Sequence, residues 1–246
     1  MIRITFKGEE IGPWHGQLVG ADGLDASACK VESTDYASMD GAAFGAARMG
    51  RREVRLSYAL SDEPEEARAR IYEVFEPKSK GELGIRTEDK DLVAEAYVGA
   101  VECDPWARPQ TVEVTLVCPD PWLYARQERQ FPYETISTGT GWTGTGWRVS
   151  NRGAPAGFVV VGLANEGSVW AGGERIRWSA SDTGLVLQLD TREGSRDLYS
   201  SSGGRTSYIS AITTWAWPQV PHGESIVEGY SSTGDSLRLK ERWAGI

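Results

Sequence analysis

The sequence predicts a mainly β protein with two domains, an α+β domain with one helix over residues 1–130 and a β-sandwich over residues 131–246. Short runs of alternating apolar and polar residues recur along the chain, which is the periodicity of half-buried strands. The 29 glycines supply turns between these runs. Only one segment has the apolar spacing of an amphipathic helix. A chain of 246 residues can give each domain its own core.

Strands and turns alternate through the first half of the chain. IRITFKG and HGQLVGADGL predict two short strands with a glycine-rich turn between them. MDGAAFGAARMG predicts a small-residue loop. The next segment, RREVRLSYAL, predicts a strand with Val54, Leu56 and Tyr58 on one face. A hairpin turning at residues 88–91 and a strand ending in VTLVC follow, so this half is expected to hold about six strands.

The one predicted helix lies within SDEPEEARARIYEVFEP, residues 61–77. Ser61 or Asp62 can cap its first turn, and Pro64 fits within that turn. Pro77 ends the helix. An apolar stripe with spacing i, i+4, i+7 and i+8 predicts the face that packs against a sheet, formed by Ala67, Ile71, Val74 and Phe75.

The stretch VEVTLVCPDPWLYARQ, residues 112–127, predicts the end of the first domain. Pro119 and Pro121 have no N–H to donate to a sheet ladder, so the strand is expected to leave the sheet there. Trp122 and Tyr124 are expected to pack at the domain junction and anchor this exit. These four residues therefore form the predicted junction.

The second half has a different composition. It begins with ETISTGTGWTGTGWRVSNRGAPAGF, which is rich in Gly, Thr and Ser and contains TGTGW twice. Short strands then follow at intervals of about 8–12 residues with Gly, Asn and Ser turns, the pattern of a β-sandwich. No helix is predicted in this half.

Net charge and hydropathy exclude several classes of partner. The net charge is −9, of which −8 lies in residues 1–130 and −1 in residues 131–246. Neither half has the basic patch of a nucleic-acid-binding protein, so no specific nucleic-acid binding is expected. No apolar run approaches the roughly 18 residues of a transmembrane helix, and MIRITFKGEE lacks the apolar core of a signal peptide. We therefore expect synthesis in the cytoplasm and no membrane partner.

Residues that could carry out chemistry are few. The histidines His15 and His222 lie in turn-like segments of different predicted domains, and no GxSxG motif accompanies the serines. Cys29, Cys103 and Cys118 are odd in number and form no CxxC motif, so we expect buried thiols rather than disulfides or zinc. The sequence predicts no enzyme, no cofactor and no metal site.

Seven of the ten tryptophans lie in residues 131–246. Flat aromatic faces suit sugar rings, so these side chains are candidates for contact with a carbohydrate or a protein partner. Core packing and subunit contact are the alternatives. The candidates are Trp215 and Trp217, two residues apart, together with Trp170 and Trp178.

The order of these features resembles the distal tail proteins of long-tailed bacteriophages. In the first half the resemblance rests on a DG turn, an MDG loop before RREVRLSYAL, one helix ending in FEPKSKGEL, and a strand closing in VTLVCPDPWLYA. In the second half it rests on SNRGAPAGFVVV and on GLVLQLDTREGSRDLY, with its Asp190-Thr191 turn.

This resemblance implies a structural role in the virion, at the distal end of the tail. Distal tail proteins form a ring, usually a homohexamer, with the N-terminal domains in the ring and a galectin-like or carbohydrate-binding-module-like sandwich outside. The implied partners are the tail tube protein, the tail tip or hub protein and the tape measure protein, with receptor-binding proteins or host-surface glycans in addition. An acidic first domain would suit a ring lumen through which DNA passes.

Two other functions stay open on sequence alone. The first is a carbohydrate-binding adhesin that contacts host glycans through its C-terminal tryptophans. The second is a glycosidase, which would need two carboxylates facing each other across a cleft. Glycan-array binding that Trp215→Ala or Trp217→Ala abolishes would favour the adhesin, and a deep cleft that holds two facing carboxylates would favour the glycosidase.

Overall fold

A computed structural model describes residues 2–11, 16–37, 39–40, 42–60, 63–104, 106, 110–137, 143–181, 186–200, 205–230 and 236–246. These residues are mainly β and include one α-helix, as the sequence predicts. The chain divides into two compact units, Met1–Ala125 with Trp243–Ile246, and Arg126–Arg242. The sequence predicts the boundary between residues 130 and 131. No feature of the sequence predicts that Trp243–Ile246 belong to the first unit.

The elements are numbered in chain order. Up to residue 125 they are β1 (Arg3–Phe6), β2 (Glu9–Glu10), β3 (Gly16–Asp22), β4 (Cys29–Asp35), β5 (Ala42–Met49), β6 (Arg52–Leu60), α1 (Pro64–Val74), β7 (Lys80–Arg86), β8 (Asp91–Cys103), β9 (Thr111–Cys118) and β10 (Leu123–Ala125). Beyond it they are β11 (Arg129–Pro132), β12 (Glu134–Ser137), β13 (Thr143–Asn151), β14 (Phe158–Leu163), β15 (Glu166–Ala171), β16 (Glu174–Ser179), β17 (Leu187–Asp190), β18 (Asp197–Ser200), β19 (Thr206–Ser207), a 3-10 turn (Ile209–Ala211), β20 (Ile212–Trp215), β21 (Gly223–Tyr230), β22 (Ser236–Leu239) and β23 (Arg242–Trp243).

The first unit is a nine-stranded antiparallel sheet with α1 packed against it. The main path runs β2-β1-β7-β8-β9-β6-β3, while β10 pairs with β8 and with β23. The ring of Phe75, just after α1, stacks on the ring of Phe6 from β1 at a centroid distance of 5.3 Å. The predicted apolar stripe is confirmed, since its members are all buried: Ala67, Ile71, Val74 and Phe75.

The start of the helix differs from the sequence prediction. The predicted caps Ser61 and Asp62 lie outside the described residues. Glu63 occupies the N-cap position and makes no side-chain capping hydrogen bond, while Pro64 begins the helix. The helix is therefore held mainly by its buried apolar face, as is usual for helices of this length.

The second unit is a β-sandwich of two six-stranded antiparallel sheets. One sheet has the order β11-β22-β14-β17-β18-β19 and the other β12-β13-β21-β15-β16-β20. Strands of both sheets contribute to one core, whose buried members include Phe158, Leu189 and Leu237 from the first sheet and Trp147, Val169 and Val227 from the second. The sandwich is confirmed, whereas its galectin-like subtype stays a prediction.

A buried arginine joins distant parts of the first unit. Arg52, at the start of β6, is only 1% exposed. Its Nε and one terminal nitrogen donate to the carbonyl of Pro121, at 3.0 and 2.7 Å. The other terminal nitrogen donates to the carbonyls of Gly23 and Asp25, at 2.6 and 2.7 Å. A fifth hydrogen bond goes to the carbonyl of Ala244.

All five N–H donors of the Arg52 guanidinium therefore have acceptors. Burial lowers the pKa of this guanidinium, and the nearby Cys118, Asp120 and Asp25 act in the opposite direction. A buried cation is tolerated when its hydrogen bonds are complete. The acceptors come from three segments, around residues 24, 121 and 244, so one side chain holds these segments together.

We expect Arg52→Met to destabilise the first unit by at least about 3 kcal/mol, because each buried acceptor that loses its donor costs roughly 1–3 kcal/mol. Urea denaturation measures the free energy of unfolding, and hydrogen exchange of the β6 amides measures the stability of that strand. Arg51→Met is the control, since that neighbouring side chain is 66% exposed and its loss should cost less than about 0.5 kcal/mol. Equal destabilisation by the two variants would contradict the role of Arg52.

Candidate functional site: interaction surfaces

A two-stranded ribbon stands apart from the main sheet of the first unit. Within the part of the chain that the structure describes, strands β4 and β5 pair only with each other. Opposite residues of a ribbon share a face, and alternate positions share it too. One face therefore holds the pairs Cys29–Met49, Val31–Ala47, Ser33–Phe44 and Asp35–Ala42. The other face holds Lys30–Arg48 and Thr34–Ala43.

The first of these faces is mainly apolar, apart from Ser33 and Asp35, and it is largely open to solvent. Phe44 is 77% exposed and Val31 51% exposed, and Met39 and Tyr36 in the connecting segment are exposed as well. A two-stranded ribbon is at best marginally stable on its own in water. An exposed apolar patch of this kind marks a surface for interaction. We define "the ribbon" as Cys29–Asp35 with Ala42–Met49 and treat its apolar face as the first candidate site.

The sequence prediction of a small-residue loop is wrong for residues 42–49, which form β5. Alanine and glycine are depleted in strands, so AAFGAARM gives little sign of one. The alternation in CKVESTD, the sequence of β4, was the available signal. Periodicity in one strand of a ribbon thus carries information about its partner.

The tryptophans of the second unit do not form one platform among the described residues. Trp178 is 2% exposed, and its Nε1 donates to the carbonyl of Ala164 at 2.9 Å. Its predicted role in surface contact is therefore wrong, because it is in phase with Ile176 on the inner face of β16. Trp217 is partly buried against the core, with the guanidinium of Arg196 5.9 Å from its ring centroid.

Two other tryptophans differ in what the structure shows. Trp215 lies on β20 opposite Ile176, and its side chain is outside the described residues. Trp170, on β15, is 47% exposed. Its direct neighbours across the sheet are Arg175 on β16 and Glu228 on β21. Trp170 thus presents an aromatic surface between a cation and a carboxylate, and it is the second candidate site.

The TGTGW repeat has a packing role in its second copy. Trp147 is fully buried, and its ring lies 5.0 Å from that of Tyr133. A Cβ on Gly229 would come within 2.5 Å of the Trp147 ring, and one on Gly146 within 2.2 Å of the Val227 carbonyl oxygen. These glycines let the indole and two strands approach closely. The first copy, with Trp142, lies outside the described residues.

The CPDPW segment separates two strands, β9 and β10, that both pair with β8. Val117 on β9 pairs with Tyr97 on β8, and Tyr124 on β10 pairs with Val93 on the same strand. Along β8, the six residues 118–123 therefore correspond to the three residues 94–96. The predicted end of the strand is confirmed, because β9 ends at Cys118, whereas the return of the chain to the sheet as β10 was not predicted. Residues 119–122 lie outside the strands and form a bulge between β9 and β10, after which the chain rejoins the sheet.

The bulge is held by its own polar groups. Asp120 accepts hydrogen bonds from the backbone N–H of Trp122 at 3.0 Å and from the Tyr124 hydroxyl at 2.7 Å. The Pro121 carbonyl accepts two from Arg52. Pro119 is exposed, and Trp122 and Tyr124 are half-buried. The roles of these residues at a domain junction stay a prediction.

The asparagine of SNRGAP holds backbone in place. Asn151 is buried, and its Nδ2 donates to the carbonyls of Ala154 and Val220, each at 3.0 Å. Its Oδ1 accepts from the N–H of Gly153 at 3.0 Å. His222 Nδ1 lies 3.0 Å from the Gly153 carbonyl oxygen, so this histidine contacts the same turn from a distant part of the chain.

The LDT motif serves a similar purpose at the end of β17. The Thr191 hydroxyl accepts from the N–H of Phe158 at 2.9 Å. The buried Asp190 carboxylate accepts from Arg192 Nε at 2.9 Å and from a terminal nitrogen at 2.7 Å. Both motifs on which the resemblance rests in this half therefore hold backbone segments in place through hydrogen bonds.

The remaining candidate groups show no common site. His15 lies outside the described residues. Within the ranges that the structure describes, no three His, Cys, Asp or Glu side chains are grouped so that they could hold a metal ion. None of the helices in those ranges is long and apolar enough to cross a membrane.

The three cysteines differ in their surroundings, and none forms a disulfide. Cys118 is buried, Cys103 is half-buried and Cys29 is exposed, so the prediction of buried thiols is wrong for Cys29. Cys118 lies opposite Arg52 on β6. Burial raises the pKa of the Cys118 thiol to about 11, with the charge of Arg52 acting in the opposite direction.

Two solved phage structures are similar in fold to this chain. The crystal structure of the SPP1 Dit (gp 19.1) protein, described as a paradigm of the hub adsorption apparatus in Gram-positive infecting phages, matches with a TM-score of 0.68 at 9% identity, over 99% of this chain and 99% of that one. This chain has the Dit fold. The resemblance to distal tail proteins is thereby confirmed at the level of the fold.

A second structure agrees with the Dit fold less closely. The phage P2 baseplate in its activated conformation with Ca matches with a TM-score of 0.50 at 10% identity, over 100% of this chain and 99% of that one. No family model and no curated protein match the sequence. The likeness is therefore one of architecture and not of sequence.

The raised pKa of the Cys118 thiol makes the free energy of unfolding fall at alkaline pH. The folded chain keeps the thiol protonated up to a pKa of about 11, whereas the ordinary thiol pKa is 9.0. Its stabilising contribution is therefore complete below pH 9 and is lost as the pH rises from 9 to 11. Between about pH 8.5 and 10.5, wild type should lose roughly 1–2 kcal/mol more unfolding free energy than Cys118→Ala.

Chemical denaturation at both pH values measures this difference. Cys29→Ala is the matched control, because that thiol is exposed and its removal should leave the wild-type pH dependence unchanged. Parallel pH profiles for wild type and Cys118→Ala would show that the thiol does not contribute.

Proposed function

We propose that this protein is a structural component of a phage tail, a distal tail protein that forms a homohexameric ring between the tail tube and the tail tip or baseplate hub. Its partners are then further copies of itself, the tail tube protein, the hub protein and the tape measure protein, with receptor-binding proteins attached. Its location is the distal end of the tail in the virion. The proposal involves no catalytic step.

The observation that carries this proposal is the agreement with the SPP1 Dit protein over 99% of both chains, at a TM-score of 0.68. Both units of this chain, and the order in which they occur, are included in a match of that extent. The SPP1 protein is described as part of a hub adsorption apparatus. A protein that shares its complete architecture is suited to the same kind of position.

The ribbon supports self-association independently of the comparison. Its apolar face, with Phe44 and Val31 at the centre, is exposed in the single chain. Burial of such a face on another subunit removes apolar area from water, which is the main driving force for association. A subunit of a ring needs at least one surface of this kind.

Purified protein is expected to form particles of six copies of the 26.9 kDa chain, about 161 kDa. Sedimentation velocity at several concentrations measures the mass, and negative-stain microscopy shows whether the particles are rings. Closed cyclic symmetry is the usual arrangement of homo-oligomers of this kind. A chain that stays monomeric at the highest concentrations would contradict the proposal.

Glycan binding is a second candidate function, favoured by one observation. Trp170 is exposed on a sheet between Arg175 and Glu228. An aromatic face can stack on a sugar ring, while the two charged groups can hydrogen-bond its hydroxyls. Among the four predicted tryptophans, Trp170 is the one for which the structure shows an exposed side chain of this kind.

If the second function holds, Trp170→Ala should abolish retention on an array of bacterial surface saccharides. Trp106→Ala is the matched control, because Trp106 is also an exposed tryptophan but belongs to the first unit. Equal retention of both variants, or no retention of the wild type, would leave the ring as the only supported function.

A further inference from the structure

Two connecting segments join the ribbon to the rest of the first unit. Residues 23–28 lead from β3 into β4, and residues 50–52 lead from β5 into the start of β6. The N–H of Gly50 donates to the carbonyl of Ala28 at 3.3 Å, so the two segments meet where the ribbon begins. The position of the ribbon therefore depends on how these two segments are held.

Residues 243–246, which we call the strap, contact both connecting segments. The N–H of Ile246 donates to the carbonyl of Leu24 at 3.2 Å. The carbonyl of Ala244 accepts a hydrogen bond from Arg52, whose guanidinium also donates to two carbonyls of the first segment. The strap and the two connecting segments therefore share one set of hydrogen bonds.

The strap is also closely packed. A Cβ on Gly245 would lie 2.9 Å from the backbone nitrogen of Ala26 and 3.1 Å from the Cα of Asp25. A larger residue at this position must therefore displace the first connecting segment. Trp243 packs against the core of the first unit, and the Lys90 ammonium lies 5.7 Å from its ring centroid. The strap thus belongs to the packed structure of the first unit.

The strap follows the second unit in the sequence. Residues 126–242 separate it from the part of the first unit that ends at Ala125. During synthesis, domains generally fold as units, with the N-terminal one first. The main path of the nine-stranded sheet can form early, because all of its strands precede residue 126. The strap becomes available only after the second unit has been made, and until then its hydrogen bonds to the connecting segments are missing.

We propose that the strap makes assembly depend on a chain that includes the second unit, because it fixes the two connecting segments, and with them the ribbon. The effect on assembly rests on the proposed ring function, whereas the fixing of the segments does not. A chain interrupted before residue 243 has a loosely held ribbon. A loosely held surface loses more conformational entropy when it associates. Chains with the strap therefore enter the ring in preference to interrupted chains.

Gly245→Val tests the strap in the full-length chain, because its side chain does not fit against the first connecting segment. The Gly50 amide, whose hydrogen bond joins the two segments, should exchange its hydrogen about tenfold faster or more, since one hydrogen bond corresponds to roughly that factor. Amides of residues 92–98 in β8 should exchange at the wild-type rate, because the sheet itself is unchanged.

Gly20→Ala is the matched control. A Cβ on Gly20 would meet only the side chain of Ser57, at an ordinary contact distance of 3.5 Å, so this variant should keep the wild-type exchange at Gly50. Gly245→Ala adds a smaller group than valine and should give an intermediate rate at Gly50, again with β8 unchanged. Faster exchange in β8 in both Gly245 variants would contradict the proposal, since the strap would then be needed for the whole sheet.

Co-production of two differently tagged chains tests the effect on assembly. When wild type and Gly245→Val are made together, particles of six copies should contain mainly wild-type chains, whereas Gly20→Ala chains should enter them as often as wild type. Sedimentation separates the particles, and the ratio of the two tags gives their composition.

The outcomes separate this inference from the proposed function. If the Gly50 amide of Gly245→Val exchanges at the wild-type rate, the strap does not fix the connecting segments and the inference is wrong. If that exchange is faster but the variant enters particles of six copies as often as wild type, the effect on assembly is wrong and the ring remains. A wild type that stays monomeric overturns the ring and the effect on assembly, while exchange at Gly50 still decides whether the strap fixes the segments.

Discussion

The first unit depends most on the hydrogen bonds of one buried guanidinium. The carbonyl groups that accept from Arg52 lie 29, 27, 69 and 192 residues away along the chain. Closing loops of that length costs conformational entropy, and a rigid five-donor fork offsets that cost at a single point. Carbonyl oxygens do not titrate, so mild changes of pH leave these bonds intact. Hydrogen bonds from this side chain hold both the bulge at Pro121 and the turn at Gly23 in place.

Much of this fold follows from periodicity in the sequence. The helix stripe, the strand at RREVRLSYAL and the strand-rich second half are all recognisable from apolar spacing. The special position of Arg52 is harder to recognise, because Arg51 precedes it. The signal in the sequence is the alternation along the strand. Arg52 falls on the same side of β6 as three buried residues, Val54, Leu56 and Tyr58.

The candidate surfaces were less accessible to sequence reasoning. Composition identifies tryptophans as large aromatic groups but does not say which face of a strand they occupy. Trp178 and Trp170 look equivalent in the sequence, yet one lies in the core and the other faces solvent. The apolar face of the ribbon requires the register between β4 and β5, a non-local quantity that a bulge near Ser33 shifts. Local patterns do not contain that register.

The pairing of β10 with β23 has an evolutionary consequence. Residues 126–242 leave the first unit from one strand and return to it on the strand alongside. A segment whose two ends emerge side by side behaves as a cassette, since another folded segment with neighbouring ends can replace it without disturbing the host sheet. Selection can therefore exchange the part between β10 and β23 while the nine-stranded sheet of the first unit stays constant.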